Sequence, residues 1–257
     1  MKLSIVTITY NNLPDLKKTL ESIPKEDYIE SVVINGGNTP ETLEYLINHR
    51  GIVINEKDSG IADAFNKGIK YSSGDAIMFL NSGDILIDKT YPQKALRLLE
   101  NDNNISFVHS SIKFEDPHSG ELVIKPRRNN LGRGMPYLHP TMIVRYPVFE
   151  KLGGFNMNYE IAMDFDFIVR MEKQGYKGFY YDISPVVKME GTGKSQSKEF
   201  KSIMECFTSL RENHSLSIKN ILGIKVRFLL YILRQVTLIT GGKQLLKFLK
   251  QKKYTTN

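Results

Sequence analysis

Hydrophobic and polar positions along the first eighty residues follow two periods. Residues 3–9 (LSIVTIT), 31–35, 52–55 and 75–80 are short apolar or alternating runs rich in Val and Ile, the signature of β-strands. Between them, residues 13–23, 40–49 and 61–71 place apolar side chains at helical spacing. Asn12 stands where an N-cap belongs, and Pro14 and Pro40 fall in first turns, where a missing N–H does no harm. Strands alternating with helices predict an α/β fold with a parallel, Rossmann-type sheet and helices on both faces. Right-handed crossovers then carry the turns Thr9-Tyr10-Asn11, Asn35-Gly36-Gly37-Asn38 and Asn81-Ser82-Gly83-Asp84 to one edge, where open sheets of this kind bind ligands.

The second half changes texture. Shorter strands are expected at 105–114, 122–125, 141–144, 179–181 and 186–189, with one helix near 164–174, which makes the complete sheet mixed. A Gly-, Pro- and Arg-rich loop spans 126–136. From about residue 196 the pattern is helical, with a break at Gly241-Gly242. This divides the chain into a domain over 1–200, with halves of about 1–100 and 101–200, and a helical extension over 201–257.

Composition and charge alter that picture at the C-terminus. The chain has 257 residues, 41% hydrophobic and 25% charged, an ordinary balance for a globular protein. Cys206 is the single cysteine, so no disulfide framework or zinc cluster is expected, in keeping with a reducing cytoplasm. Residues 3–9 are too short and too polar for the apolar core of a signal peptide. No 18 apolar residues follow one another without a charge, so no spanning helix is expected. The net charge of +7 is concentrated late: from Ser215 onward there is no acid, while Lys219, Lys225, Arg227, Arg234, Lys243, Lys247, Lys250, Lys252 and Lys253 are basic. Apolar residues alternate with these bases over 218–253, which reads as amphipathic helix lying on an anionic membrane surface. Packing of that helix on the core or on a second subunit is the alternative; nucleic acid is a third reading that the apolar content around 228–233 disfavours.

Asp84 closes a polar turn after a strand, a usual place for a carboxylate that holds a hard divalent cation; a plain Asx turn explains it as well. In IAMDFDF, Asp164 and Asp166 stand ~200° apart on a helix and cannot both face one substrate. Asp166 has Arg170 four residues on, the spacing of a helical ion pair, whereas Asp164 has no such partner and is either a functional base or an N-cap. Ile61, Phe65 and Ile69 share a helical face and are expected in the core. GTGKS at 191–195 is not a phosphate loop, because the Gly required five residues before its second Gly is Lys188.

Taken together, SIVTITYNN (4–12), VVINGGNTPETLE (32–44), DSGIADAFNKGIKYSSGD (58–75) with AIMFLNSGD, HPTMIVRYPVFEKLGGFNMNYEIAMDFDFIVRMEKQG (139–175) and GTGKS resemble the family 2 inverting glycosyltransferases of GT-A fold, in particular the bacterial branch that builds capsule, exopolysaccharide and O-antigen. The resemblance covers roughly residues 1–200. It implies that Thr7, Thr9, Tyr10, Asn11, Asn35, Asp63 and Asn66 line the nucleotide, that Asp84 binds Mn2+ or Mg2+, and that Asp164 is the catalytic base. It further implies that Asn81, His139, Gly193, Lys194 and Ser195 meet the diphosphate or the acceptor, with His139 and the 193–195 loop open to a purely structural reading. Asn35, Phe65, Asn81 and Met163 depart from residues common in the family, an Asp, an Arg, an Asp and a Glu. Arg127, Arg128 and Arg133 are either an anion clamp or a solvated loop.

The implied activity is transfer of a hexose or N-acetylhexosamine from a nucleotide sugar, preferably a UDP-sugar, to a glycan or polyprenyl-linked saccharide. It would take place in the cytoplasm at the inner face of the cell membrane. The alternatives are an inactive nucleotide- or glycan-binding scaffold, or a sugar-phosphate nucleotidyltransferase. No nucleic-acid partner is expected, and an oligomer is left open.

Overall fold

A computed structural model describes residues 1–116, 120–127, 130–190 and 198–240. Strands β1 (Leu3–Thr9), β2 (Ile29–Asn35), β3 (Ile52–Asn55) and β4 (Ala76–Phe79) alternate with helices α1 (Leu13–Ser22), α2 (Pro40–Ile47) and α3 (Ile61–Tyr71). Pairing of β1 with β2 and β4, and of β2 with β3, is parallel throughout, so the three polar turns do share one edge. The Asn12 side chain accepts from the Asp15 amide at 3.3 Å and starts α1 as expected.

Alternation along the strands sorts the core into two faces. Leu3, Ile5, Val33, Ala76 and Met78 pack with Leu16 and Leu20 of α1, Leu46 of α2, and Tyr91, Ala95 and Leu99 of α4 (Tyr91–Asn101). Val6, Val32, Ile34, Ile77 and Phe79 pack on the opposite face with Ala62, Ala64 and Phe65 of α3, Val148 and Phe149 of α5 (Tyr146–Leu152), and Phe167, Ile168 and Met171 of α6 (Met163–Lys173). Burying one such Leu, Ile or Phe is worth roughly 1.5–3 kcal/mol, which is why the two-residue period decides the register.

The second half contributes β6 (Ile105–His109), β9 (Ile143–Arg145) and β10 (Lys177–Tyr180) to this sheet, giving a seven-stranded order β10-β6-β9-β4-β1-β2-β3. β9 runs antiparallel to β4 and β6, which makes the sheet mixed. One expectation is corrected here: residues 105–114 are not a single strand. The chain leaves the large sheet after His109 and re-enters at β7 (Ile112–Asp116) in a separate four-stranded sheet with β5 (Ile85–Leu86), β8 (Gly120–Ile124) and β11 (Val187–Glu190), ordered β5-β11-β7-β8. At the junction, the Ser110 amide donates to Thr141 Oγ1 at 3.0 Å and its hydroxyl to the Tyr181 carbonyl at 2.7 Å, tying the corner down.

Two helices follow, α7 (Glu199–Glu212) and α8 (Ile218–Thr240). α7 lies against α6, with Cys206 and Leu210 packed on Ala162, Phe165 and Val169. Cys206 is thus a small buried core residue, its thiol pKa pushed up by burial. α8 packs on α7 and on the short turn Leu131–Arg133. Its approach is close, since a Cβ on Gly132 would lie 2.0 Å from the Asn220 carbonyl oxygen. The expected break at Gly241-Gly242 and the lysines from Lys243 on lie outside the described residues.

Candidate active site

At the ends of β1 and β4, the structure gathers oxygen atoms that lack partners. Thr7 Oγ1, Thr9 Oγ1, Asn81 Oδ1 and Ser82 Oγ are all buried without a hydrogen bond. Orphaned buried polar groups are costly and rare, and four on adjacent strand ends mark a place where ligand atoms can complete the set. The turn that presents them is held from behind. The Asn81 amide donates to Asp84 Oδ2 at 3.1 Å, the Gly83 amide to Thr19 Oγ1 at 2.9 Å, and Thr19 Oγ1 to the Asn81 carbonyl at 3.2 Å. Gly83 takes φ 103°, a conformation open to glycine at little cost.

Asp84 is 6% exposed, and burial pushes its carboxyl up to about 7. Among the described residues no group of three or more His, Cys, Asp or Glu is placed to hold a metal ion. One carboxylate beside neutral, unpartnered oxygens nevertheless suits a hard cation of the Mg2+ class, which keeps water and takes phosphate oxygens to complete its shell. Asp84, Asn81 and Ser82 would be the residues to hold it, and such an ion would stabilise negative charge on a departing diphosphate.

The other residues of the first half differ in how they are engaged. Tyr10 is 70% exposed at the rim. Asn11, at φ 51°, accepts with Oδ1 from the amides of Asn38 and Thr39 at 2.9 and 3.3 Å, so it braces the turn after β2. Asn35 is fully buried; its Nδ2 donates to Asn55 Oδ1 at 3.0 Å and its Oδ1 accepts from the Gly37 amide at 3.1 Å. The amide serves both bonds at once, donating to Asn55 and accepting from the Gly37 backbone. Asp63 accepts from the Ser59 amide at 2.9 Å and faces Lys67 Nζ at 3.5 Å; these hold its carboxyl below the usual range. Asn66 is turned to the fold: its Nδ2 donates to the Phe155 carbonyl and its Oδ1 accepts from the Phe155 amide, both at 2.8 Å.

A second cluster forms around α6. Asp164, in its first turn, opens onto a cavity of about 290 Å³ that His139, Tyr137, Arg127, Arg133, Arg227 and Arg234 also line. Burial raises the Asp164 carboxyl to about 6, against hydrogen bonds from the backbone that include the Phe165 amide at 2.7 Å, and the nearby Glu205 charge adds to the rise. Asp166 points elsewhere. It is 2% exposed and accepts from Arg170 Nε at 2.9 Å, Ser209 Oγ at 2.8 Å and Asn213 Nδ2 at 3.0 Å, a structural role. His139 stacks on Phe79 with ring centres 5.4 Å apart and meets Phe65 at the same distance; burial lowers its pKa to about 4, so the ring is neutral at physiological pH. Phe65, 1% exposed, belongs to this aromatic group, as its helical face predicted.

Asp84 is not part of that cavity wall. It precedes β5, whose pair Lys188–Ile85 in β11 leads one residue on to Met189, which is in the wall. A larger hollow of about 1080 Å³ lies between α1 and α2 near the start of β2 and contains none of the candidate residues. Gly193, Lys194, Ser195 and Arg128 lie outside the described residues.

Sequence reasoning missed three contributors from the C-terminal helices. Glu205 of α7 accepts from the amides of Ile161 and Ala162, both at 2.8 Å, and of Glu160 at 3.2 Å, capping the entry to α6 just before Asp164. Arg227 and Arg234, expected to face lipid phosphates, instead face the Asp164 cavity. The signal for them was in the chain: Asn220, Gly223, Arg227, Arg234 and Thr237 recur at steps of three, four and seven, one helical stripe.

Against known proteins, the model described as "Glycosyl transferase family 2" matches residues 4–166. An uncharacterised glycosyltransferase of Mycobacterium tuberculosis is 29% identical over 177 residues, 65% of this chain and 67% of that protein. The glycosyltransferase YwdF of Bacillus subtilis, also described as uncharacterised, is 30% identical over 187 residues, 71% of this chain and 60% of its own length. Among solved structures, S. aureus TarS 1-349 superposes with TM-score 0.64 at 17% identity, covering 89% of this chain and 71% of that one. The mannosyltransferase PcManGT from Pyrobaculum calidifontis, in complex with GDP-Man and Mn2+, gives 0.61 at 15% identity, over 98% and 84%. At those identities the structural likeness speaks for the fold.

Proposed function

The chain belongs to glycosyl transferase family 2, and from that premise we propose that it moves a hexose or N-acetylhexosamine from a nucleotide sugar, a UDP-sugar by preference, to a saccharide acceptor with inversion at the anomeric carbon. The observation that carries this reading is Asp164: a carboxylate raised to about 6 in the wall of a cavity of about 290 Å³. At neutral pH it is ionised, yet its pKa is close enough to the working pH to accept a proton effectively. In the step we envisage, Asp164 takes the proton from the acceptor hydroxyl while the oxygen attacks the anomeric carbon. The nucleoside diphosphate departs from the opposite face.

Thr7, Thr9, Asn81 and Ser82 would meet the donor at the ends of β1 and β4, with Tyr10, Asn11, Asn35 and Asp63 shaping the nucleotide side. A divalent ion held by Asp84 would supply charge stabilisation at the diphosphate. UDP-GlcNAc is bound in one structure of TarS, and GDP-Man with Mn2+ in PcManGT, which supports a nucleotide-sugar donor with a metal. Asn66 is better read as a brace for residues 153–155.

The acceptor is proposed to be a lipid-linked saccharide of surface polysaccharide synthesis, met at the inner face of the membrane. Support comes from the outer face of α8, where Ile218, Leu222, Leu229 and Val236 are 50–80% exposed and lie near Lys219 and Lys225. No helix among the described residues is long and apolar enough to cross a membrane.

The test is release of nucleoside diphosphate from UDP-, GDP- and dTDP-sugars with and without Mn2+. Metal-dependent turnover that falls ~10²–10⁴-fold in Asp164→Asn, with donor binding retained, is the expected result. Tight donor binding without turnover, even with lipid-linked acceptors supplied, would point to a scaffold.

A further inference from the structure

The wall of the Asp164 cavity carries more positive charge than glycosyl transfer to a neutral sugar requires. Lys125, Arg127, Arg133, Arg227 and Arg234 line it, against two acids, Asp164 and Glu199. Arg234 is 6% exposed; one of its amino groups donates to Glu199, while Nη1 is buried with no partner. Arg227 Nη1 is likewise buried with no hydrogen-bond partner, although the guanidinium also lies beside the Cys206 thiol. A buried guanidinium N–H without an acceptor is costly, and two of them in one cavity indicate a ligand that brings oxygen acceptors. With Lys125 already answered by Asp182 at 3.4 Å, four guanidiniums less two carboxylates leave two positive charges, which one carboxylate ligand would not balance. A phosphate or diphosphate would, and it presents the oxygen geometry that planar arginine forks match in pairs.

The position of the charge decides whose phosphate it is. The cavity contains Asp164 and His139 and none of Thr7, Thr9, Asn81, Ser82 or Asp84, the groups at the strand ends. The strand-end groups lie outside this wall, and with Asp164 taken as the base the arginine-lined wall falls on the side of the attacking hydroxyl. The volume, about 290 Å³, is just under the ~300–1,000 Å³ of small-ligand sites, enough for one sugar-phosphate fragment. The rest of the wall includes Phe114, Met189 and Leu230, an apolar lining that suits a ligand with both an anionic and a non-polar part.

We propose that this cavity binds a phosphate group carried by the acceptor, held by Arg227 and Arg234 of α8 together with Arg127 and Arg133. The proposal rests on the reading above only in taking Asp164 as the marker of the acceptor side.

The experiment uses the full-length protein saturated with UDP and Mn2+, titrated with inorganic phosphate, sn-glycerol 3-phosphate and farnesyl diphosphate. Expected is binding of at least one phosphate probe in the presence of UDP, weakened about tenfold or more in Arg227→Gln and Arg133→Gln, the loss typical of a charge-assisted hydrogen bond, with UDP affinity unchanged. Unchanged UDP affinity also shows that these variants fold; Arg234→Gln is a third variant, read only where it retains UDP binding. Preference for glycerol 3-phosphate assigns a polyol-phosphate acceptor and preference for farnesyl diphosphate a lipid diphosphate, and either supports the proposal. Displacement of the probe by UDP, loss of UDP rather than probe affinity in the variants, or no binding of any probe overturns it. Asp164→Asn separates the two ideas: full transfer activity in that variant sinks the base assignment, while probe binding reports on the arginines alone.

Discussion

α3 and α8 are both amphipathic helices at the edge of the site, and they are oriented in opposite senses. α3 buries Ala62, Ala64, Phe65 and Gly68 against β1 and β2 and turns Lys70 outward. α8 buries Asn220, Gly223, Arg234 and Thr237 and turns Ile218, Leu222, Leu229 and Val236 to the outside. The first arrangement is a helix built to stabilise a core. The second sets polar residues on its inner face beside Ile224, which packs on Ala162, Phe165 and Val169, while Phe228 and Tyr231 meet Phe200 of α7, so polar contacts and apolar packing hold it together and its inner arginines belong to a cavity. Helix amphipathicity alone therefore says where the water boundary is only when something on the other side is known.

The polar scaffold under α7 and α8 is where that contrast is most easily broken. Asp166 is buried and joined to Arg170, Ser209 and Asn213, and Arg170 also donates to the Leu152 and Gly154 carbonyls at 2.6 and 2.7 Å. Asp166→Ala removes the one carboxylate that the Arg170 guanidinium, Ser209 of α7 and Asn213 at its end share, and unfolding in urea is expected to show a loss of roughly 3–5 kcal/mol. A loss under 1 kcal/mol would mean that the C-terminal helices are not anchored through this network. Next in size is Gly132→Ala. Its Cβ would meet the Asn220 carbonyl oxygen at 2.0 Å, a backbone atom that moves only if α8 moves. The expected cost is about 1–3 kcal/mol, with α8 displaced and phosphate-probe binding weakened while UDP binding is unchanged.

The donor side responds in the opposite direction. Asp84 is buried, and its folded pKa of about 7 lies above the ordinary 3.8, so between those values the folded chain holds a proton that the unfolded chain releases. Stability contributed by this group is therefore present below 3.8 and falls as pH rises toward about 7. Asp84→Asn keeps the acceptor for the Asn81 amide and removes the charge. At pH 8, metal-free, it is expected to melt higher, by roughly 1–3 kcal/mol of stability. The same variant should lose Mn2+-dependent activity, and in the unaltered protein Mn2+ affinity should rise with pH through about 7, because the cation binds the ionised carboxylate.

How much of this was legible follows from what each pattern encodes. The βα half was readable almost residue for residue, because a strand such as β1 buries both its faces and any slip would expose Ile5 or Val6. The single strand expected over 105–114 failed because both β6 and β7 are β-rich, and the bend between them depends on Ser110 meeting Thr141 and Tyr181, contacts remote in sequence. The separate fates of Asp164 and Asp166 were legible from helical phase. The pKa of Asp164 was not, since it depends on burial and on Glu205, some forty residues away. Arg227 and Arg234 were read by their charge rather than by their stripe, so they were assigned to the wrong side of α8.

The smallest expected effect on the fold is also the sharpest test of what lies outside α8. Leu222 and Leu229 are 56% and 55% exposed, and neither belongs to a buried cluster, so substituting both by Ser removes little packing inside the chain. Stability should change by no more than about 0.5 kcal/mol, as for ordinary surface substitutions, and binding of UDP and of phosphate probes should be unchanged. If the outer face of α8 lies in a headgroup boundary, the loss of two Leu side chains, each worth roughly 1.5–3 kcal/mol of apolar burial, should reduce sedimentation with anionic vesicles by at least tenfold. Lysines alone would leave a residual, salt-sensitive association. Unchanged vesicle binding in this variant would remove the membrane from the account and leave the outer stripe as a contact for another protein surface. In neither outcome would the inner stripe change, because Arg227 and Arg234 are held by the cavity and not by whatever covers the opposite face.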